Sequence, residues 1–239
     1  MGMNTENSST NYNRQRQVIV VGAGKLATEL LGSLKAAPDS LVIPWEDGKA
    51  ATRKSILVHA GSGRELEAVT AYCAATQSPL IELATGSKIE QTTDAFPVVL
   101  CPNTNILMLK FMSMLERSGH LFHGHRITLA ESHQAQKTSV PGTAVSMAHA
   151  LGLKDNDVLS IRDVNTQWAD LGIPEEHLAR HAFHQIFIED GACSVKLETR
   201  VYGESPYADG VARIVAAVQK HDLENRLYPI MEFIDKGWI

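Results

Sequence analysis

The segment Gly22-Ala23-Gly24-Lys25-Leu26-Ala27 follows four β-branched residues, Val18-Ile19-Val20-Val21, and opens a stretch with helical spacing. Gly22 permits a tight turn, and Gly24 lets a pyrophosphate approach the backbone. The helix that begins at Lys25 and Leu26 offers free N–H groups and a positive dipole end. Ala27 takes the third small position. Taken alone, such a segment is a strand-to-helix turn that uses glycine for geometry; the strand before it and the helix after it are what a dinucleotide site needs. Glu46 stands 22 residues after Gly24, where a carboxylate can accept hydrogen bonds from the adenosine ribose. It would also repel a 2′-phosphate, at about 4 kcal/mol per unit charge for ~4 Å and an effective dielectric of ~20. Lys49, Arg53 and Lys54 follow closely and can hold that phosphate, so NADH and NADPH both stay open. A solvated loop carboxylate is the alternative reading of Glu46.

A second constellation runs from Glu131 to Ala144, Glu-Ser-His-Gln-Ala-Gln-Lys-Thr-Ser-Val-Pro-Gly-Thr-Ala. His133 titrates near neutrality and can do acid/base work. Lys137, four residues on, can neutralise an anion or donate a proton. The helix start at Gly142 and Thr143 can bind a carboxylate through its N–H groups. Two short loops complete the set, Ala84-Thr85-Gly86 and Cys101-Pro102-Asn103-Thr104. Each follows an apolar run, at the strand ends where ligands of open α/β sheets bind.

The elements that must position these residues show in the hydrophobic pattern. Residues 17–21, 41–43, 55–60, 79–84 and 97–101 read as strands of a parallel sheet. Amphipathic stretches lie between them, with Leu26, Leu30 and Leu34 on one helical face and Leu66, Val69 and Cys73 on another. The rhythm changes after Cys101. Residues 106–116 read as a helix, 123–133 as a strand, 142–151 as a short helix, and 158–164, 184–189 and 194–202 as strands. That middle section is α+β. Residues 208–218 form a helix again. The resulting division is a flexible tail at 1–15, a dinucleotide-binding domain at 16–104 plus 206–239, and a second domain at 105–205.

Composition sets outer limits. The 239 residues are 44% hydrophobic and 21% charged, with a net charge of −5, so no basic nucleic-acid footprint is expected. No apolar run is long enough to span a bilayer. The three cysteines, Cys73, Cys101 and Cys193, form no close pair and read as reduced thiols of a cytoplasmic protein. The first ten residues carry no signal-peptide pattern.

The order of these motifs resembles the dihydrodipicolinate reductase (4-hydroxy-tetrahydrodipicolinate reductase) family over nearly the whole chain. That family carries Glu-x-His-His-x-x-Lys-x-Asp-x-Pro-Ser-Gly-Thr-Ala, Gly-Thr-Thr-Gly, Ala-Pro-Asn-Phe-Ser and Phe-Ala-Asn-Gly. They are matched in part by residues 131–144, Ala84-Thr85-Gly86, residues 101–105 and Tyr207-Ala208-Asp209-Gly210. The resemblance implies a Rossmann-type parallel-sheet domain with a second α+β substrate and oligomerisation domain, assembled as a homotetramer. It implies hydride transfer from NADH or NADPH to an unsaturated cyclic imine in lysine and diaminopimelate biosynthesis. His133 falls on the family's acid/base histidine and Lys137 on its proton donor. Gln134, Gly142 and Thr143 fall on its substrate loop. Ala84, Thr85, Gly86, Pro102 and Asn103 fall beside the cofactor, with Gly22, Gly24, Lys25, Leu26 and Glu46 at its other end.

This chain departs from the family where substrate is held. Gln134 replaces the second histidine, Ser139 the aspartate and Glu204 an arginine. Arg200 keeps the charge of a lysine, and Pro141 runs directly into Gly142 without the serine. A hydrogen bond to a charged carboxylate is worth roughly 1.5–3 kcal/mol. The departures therefore point to a related reductase of a different imine, or to a non-catalytic NAD(P)H-binding sensor, as alternatives. The remaining histidines read as structural. His123 and His125 share a face of a sheet edge without a carboxylate beside them, and Leu178 stands where a metalloprotease pattern at His177 and His181 needs glutamate. No metal site is expected. Cys101 reads as a buried packing residue rather than a nucleophile.

Overall fold

The computed structural model describes residues 16–50, 52–84, 86–91, 95–138, 141–203 and 207–239. The expected tail at 1–15 lies outside them, as do Thr85, Ser139 and Glu204. The chain begins with β1 (Arg16–Val21), α1 (Lys25–Ser33), β2 (Ser40–Pro44), the helical turn α2 (Trp45–Gly48), β3 (Ile56–His59), α3 (Leu66–Thr76), β4 (Leu80–Glu82) and β5 (Val98–Leu100). It continues through α4 (Ile106–Ser118), β6 (Arg126–His133), α5 (Gly142–Ala150), β7 (Val158–Ile161), α6 (Val164–Ala169), β8 (Ala182–Asp190) and β9 (Cys193–Val201). It closes with α7 (Ala208–Lys220), β10 (Leu227–Pro229) and α8 (Ile230–Asp235). Two units result. One comprises Met1–Ile106 with Tyr207–Ile239, the other Leu107–Pro206.

The first unit is a six-stranded parallel sheet in the order β10-β5-β4-β3-β1-β2. Its central strands are apolar on both faces, so both must be covered. Val18, Ile19, Val20 and Val21 are buried accordingly. Ile19 and Val21 meet Leu66, Val69 and Cys73 of α3. Val18 and Val20 point to the opposite face because strand side chains alternate. On α7, Val211, Ile214, Val215 and Val218 form the buried stripe, each contributing about 1.5–3 kcal/mol by burial. Gly210 is required there. A Cβ on it would lie 1.7 Å from the Thr104 carbonyl oxygen, so the glycine lets α7 rest on the turn after β5.

The second unit is a four-stranded mixed sheet, β7-β6-β8-β9, with β6 parallel to β7 and antiparallel to β8. Met108 and Leu115 of α4 and Ala144, Met147 and Ala148 of α5 pack on Leu129, Ile186 and Ile188. Three expectations are corrected here. The strand expected at 158–164 stops at Ile161, because Asp163 caps a helix, its carboxylate accepting from Thr166 N–H at 2.8 Å. The strand expected at 123–133 begins only at Arg126, since Gly119–Phe122 is a 3-10 turn and Gly124 has φ +93°. His123 and His125 therefore do not share a strand face. Glu46 lies within the first turn of α2, two residues beyond the strand end at Pro44.

Candidate active site

The glycine turn of the first unit leaves room for an external anion. Gly22 has φ +128°, and a Cβ there would stand 2.7 Å from the Ala60 carbonyl oxygen, so only glycine closes the turn against β3. A Cβ on Gly24 would meet nothing within 4 Å, leaving its backbone approachable. Gly24 caps α1 without any side-chain hydrogen bond, and no acidic residue lies in the first turn. The early N–H groups of Lys25 and Leu26 are thus left for an incoming group. This fit, a backbone cradle with a positive helix end and no internal anion, is what a dinucleotide diphosphate requires.

The neighbouring strand ends supply the other assigned residues. Ala84 and Gly86 follow β4, where the Ala84 N–H donates to Glu82 Oε1 at 2.8 Å and the Ser87 hydroxyl to Oε2 at 3.1 Å. After β5, Pro102 leads to Asn103, whose side-chain oxygen accepts from the Asn105 N–H at 3.0 Å. The Cys101 thiol donates to the Asn103 carbonyl at 3.1 Å. Burial pushes that thiol up to about 12, which removes Cys101 as a thiolate nucleophile at neutral pH. Glu46 is largely exposed and forms an ion pair with Lys49, so acid and base largely cancel where a 2′-phosphate would arrive.

The second unit holds the residues expected to handle protons. His133 ends β6, and its Nδ1 lies 2.8 Å from Glu131 Oε2. A carboxylate can only accept, so Nδ1 carries the proton and Nε2 is the free atom. Glu131 is fully buried and shared by three donors, because Arg162 Nη2 reaches Oε1 at 2.6 Å and the Ser160 hydroxyl reaches it at 2.5 Å. Burial alone would raise this carboxyl, but the hydrogen bonds from His133, Arg162 and Ser160 outweigh it and hold it at about 2. Arg162 also donates through Nε to the Lys137 carbonyl at 2.8 Å, and Gln167 donates to the His133 carbonyl at 2.7 Å. Both ends of the loop are thereby tied. The Lys137 ammonium has no hydrogen-bond or ion-pair partner among the described residues and is half-buried. Gln134 accepts the Lys137 N–H through its own carbonyl at 2.9 Å. Gly142 and Thr143 open α5, capped by Pro141 with no side-chain bond and no acid in the first turn, and the space beside Gly142 is open.

Sequence reasoning assigned no role to Arg162, His181 or His184, and passed over Glu131. His184 pairs with Glu131 across the β6–β8 ladder, and its ring lies 5.9 Å from that of His133. His181 Nδ1 donates to the His177 carbonyl, and Nε2 accepts from the Ser132 hydroxyl at 3.0 Å. Burial pushes His184 down to about 4, with the nearby His133 adding to the shift, and burial lowers His181 as well. At that value His184 is neutral at pH 7. Only the alternation of 131, 133 and 184 on facing strands could have signalled the cluster. Arg200, expected to carry a basic charge toward ligand, is matched by Glu198 at 2.5 Å and donates to the Leu171 and Gly172 carbonyls.

A parallel sheet wound with helices, carrying a glycine turn at the start of α1 and joined in one chain to an α+β unit, defines a Rossmann-type architecture with a second domain. The comparisons with known proteins give particular relatives. No protein-family profile matches the chain. The chain is 30% identical over 153 residues to a protein of Oryza sativa subsp. japonica named probable 4-hydroxy-tetrahydrodipicolinate reductase 1, chloroplastic. It is 31% identical over 153 residues to 4-hydroxy-tetrahydrodipicolinate reductase 2, chloroplastic, of Arabidopsis thaliana. These matches take in 58% of this chain but only 45% and 44% of the relatives, so the chain spans less than half the length of the curated relatives it matches. Among solved structures, a dipicolinate-bound dihydrodipicolinate reductase from Paenisporosarcina sp. TG-14 superposes with TM-score 0.67 at 15% identity, over 91% of this chain and 99% of that one. A C. glutamicum DAP dehydrogenase gives 0.53 at 9% identity, over 92% and 94%. At these identities the structural likeness establishes the fold.

Proposed function

We propose that this protein is an NAD(P)H-dependent reductase that delivers a hydride to an unsaturated cyclic imine of the dihydrodipicolinate type, in lysine and diaminopimelate biosynthesis. The observation that carries the reading is His133, oriented by a buried ionised Glu131, with Lys137 lacking a side-chain partner among the described residues and the open helix start at Gly142-Thr143 following in the same unit. When bound, NADH or NADPH supplies the hydride. The glycine turn at Gly22 and Gly24 would hold its diphosphate, and the strand ends at Ala84–Gly86 and Pro102-Asn103 its other half. The N–H groups of Gly142 and Thr143 bind a substrate carboxylate. Lys137, or a water held by His133 Nε2, supplies the proton that balances the hydride. Fixing both partners contributes much of the acceleration.

The same reading assigns 16–104 plus 206–239 to cofactor and 105–205 to substrate and assembly. A homo-oligomer, the tetramer implied by the resemblance, is supported by β9, whose outer edge is unpaired among the described residues. A cytoplasmic setting is supported by Cys73, Cys101 and Cys193 as free thiols. No helix among the described residues is long and apolar enough to cross a membrane. A different imine is the second reading, favoured by Gln134 and by Pro141 preceding Gly142 directly.

The test is oxidation of NADH and of NADPH, at equal concentrations, with enzymatically generated dihydrodipicolinate. Sustained oxidation with either cofactor is expected. Cofactor binding without oxidation would sink the substrate assignment and move the search to other imines.

A further inference from the structure

The first unit holds another histidine–carboxylate pair that the function above leaves unused. His59 ends β3 and Glu82 ends β4, opposite each other in register. Both side chains are completely buried. His59 Nδ1 lies 2.8 and 2.9 Å from the two Glu82 oxygens, so it carries the proton. Glu82 is further satisfied by Ala84 N–H and the Ser87 hydroxyl. His59 Nε2, by contrast, is buried and has no partner among the described residues, and neither has Glu65 Oε2. The two converge, since a methyl group on Gly61 would stand 2.9 Å from Nε2 and 3.1 Å from Oε2. Gly61 in turn abuts the cofactor turn, its Cα lying 3.0 Å from the position of a Cβ on Gly22. Buried polar atoms without partners cost desolvation with no return, and a native fold keeps them where a function uses them.

The sheet order says which part of a dinucleotide would reach them. From β1 the chain goes to β2 on one side and then returns to β3 on the other, so the winding reverses between β1 and β3. The acid after β2 belongs to the adenosine side, which leaves the β3 side to the other half. The atoms waiting there are acceptors. An imidazole nitrogen whose ring partner holds the hydrogen bond to Glu82, set beside a carboxyl oxygen, repels phosphate and suits hydroxyl donors.

Resting on the cofactor reading above, we propose that His59 Nε2 and the Glu65 carboxylate accept hydrogen bonds from the vicinal hydroxyls of the nicotinamide ribose, with Glu82 as the positioning residue that fixes the His59 ring. The 61–65 turn now covers Nε2. Its Ser62, Gly63 and Arg64 are exposed, and Glu65 Oε2 already lies beside Nε2 without a partner among the described residues.

The experiment is calorimetric titration of the full chain with NADH, ADP-ribose and ADP. ADP-ribose keeps the second ribose and ADP lacks it. Replacing His59 strands Glu82 in the core, so Gly61→Ala and Glu65→Ala are the informative variants; Gly61 has no left-handed φ, and its new methyl fills the space at Nε2. Affinity for NADH and ADP-ribose is expected to fall about tenfold in Gly61→Ala, roughly the worth of one hydrogen bond. In Glu65→Ala both should fall several-fold, with ADP within twofold of wild type in each variant. An ADP loss equal to the NADH loss would overturn the proposal, because it would report damage to the Gly22 turn. Unchanged NADH affinity in both variants would also overturn it while leaving the cofactor reading intact. A wild-type chain that binds neither NADH nor NADPH would bring down the cofactor reading itself.

Discussion

The two histidine–carboxylate pairs, His59–Glu82 in the first unit and His133–Glu131 in the second, share a contact distance of 2.8 Å and differ in everything around it. His59 is sealed, and its carboxylate is balanced by a backbone N–H and a hydroxyl. His133 is 15% exposed, and its carboxylate is balanced by the guanidinium of Arg162. A fixed positive charge on the carboxylate keeps Glu131 ionised whatever His133 does. The ring can then exchange protons at Nε2 while the pair stays assembled. Without such a cation among the described residues, as at His59, the pair is suited to holding a lone pair still. On the proposed function, the difference separates a group suited to moving protons from one suited to gripping.

The comparison breaks first at the chemistry. Lys137→Ala and His133→Asn should each lower kcat by about 10²–10⁴, the usual worth of acid/base assistance, and leave the NADH dissociation constant within about twofold. Gly61→Ala should do the reverse, weakening NADH with little effect on kcat at saturating cofactor. If His133→Asn weakens NADH and spares kcat, the two pairs have been assigned the wrong way round.

Stability gives the next largest effect. Arg162→Leu leaves Glu131 buried without its ion and should cost about 3–5 kcal/mol, read from the urea midpoint at pH 7. The double variant Arg162→Leu with Glu131→Gln should recover much of that loss. A single variant as stable as wild type would mean that Glu131 is protonated and that the contrast with Glu82 is illusory.

The sequence carried the first unit well and the second poorly, for a physical reason. In a parallel sheet every central strand is apolar on both faces, and the glycine turn marks its own position, so Val18–Val21, Gly22 and Gly24 could be read directly. The cluster around His133 depends on which residues of β6, β7 and β8 lie opposite one another. Register is set by pairings such as Glu131 with His184, 53 residues apart in sequence, and no local pattern encodes them. Arg162 was hidden for a related reason: Asp163 ends the strand early, and the change of direction turns Arg162 back toward Glu131 and Lys137. His59 lies inside the apolar run at 55–60, where the pattern shows only a strand. Only the orphaned Nε2 distinguishes it.

Acidification offers a third test. His184 has an ordinary value of 6.5 and is pushed down to about 4 in the fold, so between those values the unfolded chain binds the extra proton and stability falls as pH drops. The loss approaches about 3 kcal/mol by pH 4. Glu131 is depressed too, so its contribution is present above 4.5 and is lost as pH falls toward 2. Urea midpoints between pH 7 and 4 should show the His184 slope, and His184→Leu should flatten it. An unchanged slope in that variant would mean the ring is not the buried neutral group described here.

The smallest effect concerns a third pair, Glu46 with Lys49, which is exposed where the other two are buried. Exposed ion pairs are worth about 0–1 kcal/mol, because water and salt screen both charges. Glu46→Gln removes the repulsion of a 2′-phosphate and frees Lys49 to meet it, so both consequences favour NADPH. The ratio of NADPH to NADH affinity should therefore rise by no more than about fivefold, and the change should shrink as salt is raised from 0.05 to about 0.5 M. A rise of a hundredfold would mean that Glu46 is desolvated in the complex and binds the adenosine ribose tightly. No change at any salt would place the adenosine end elsewhere than beside α2.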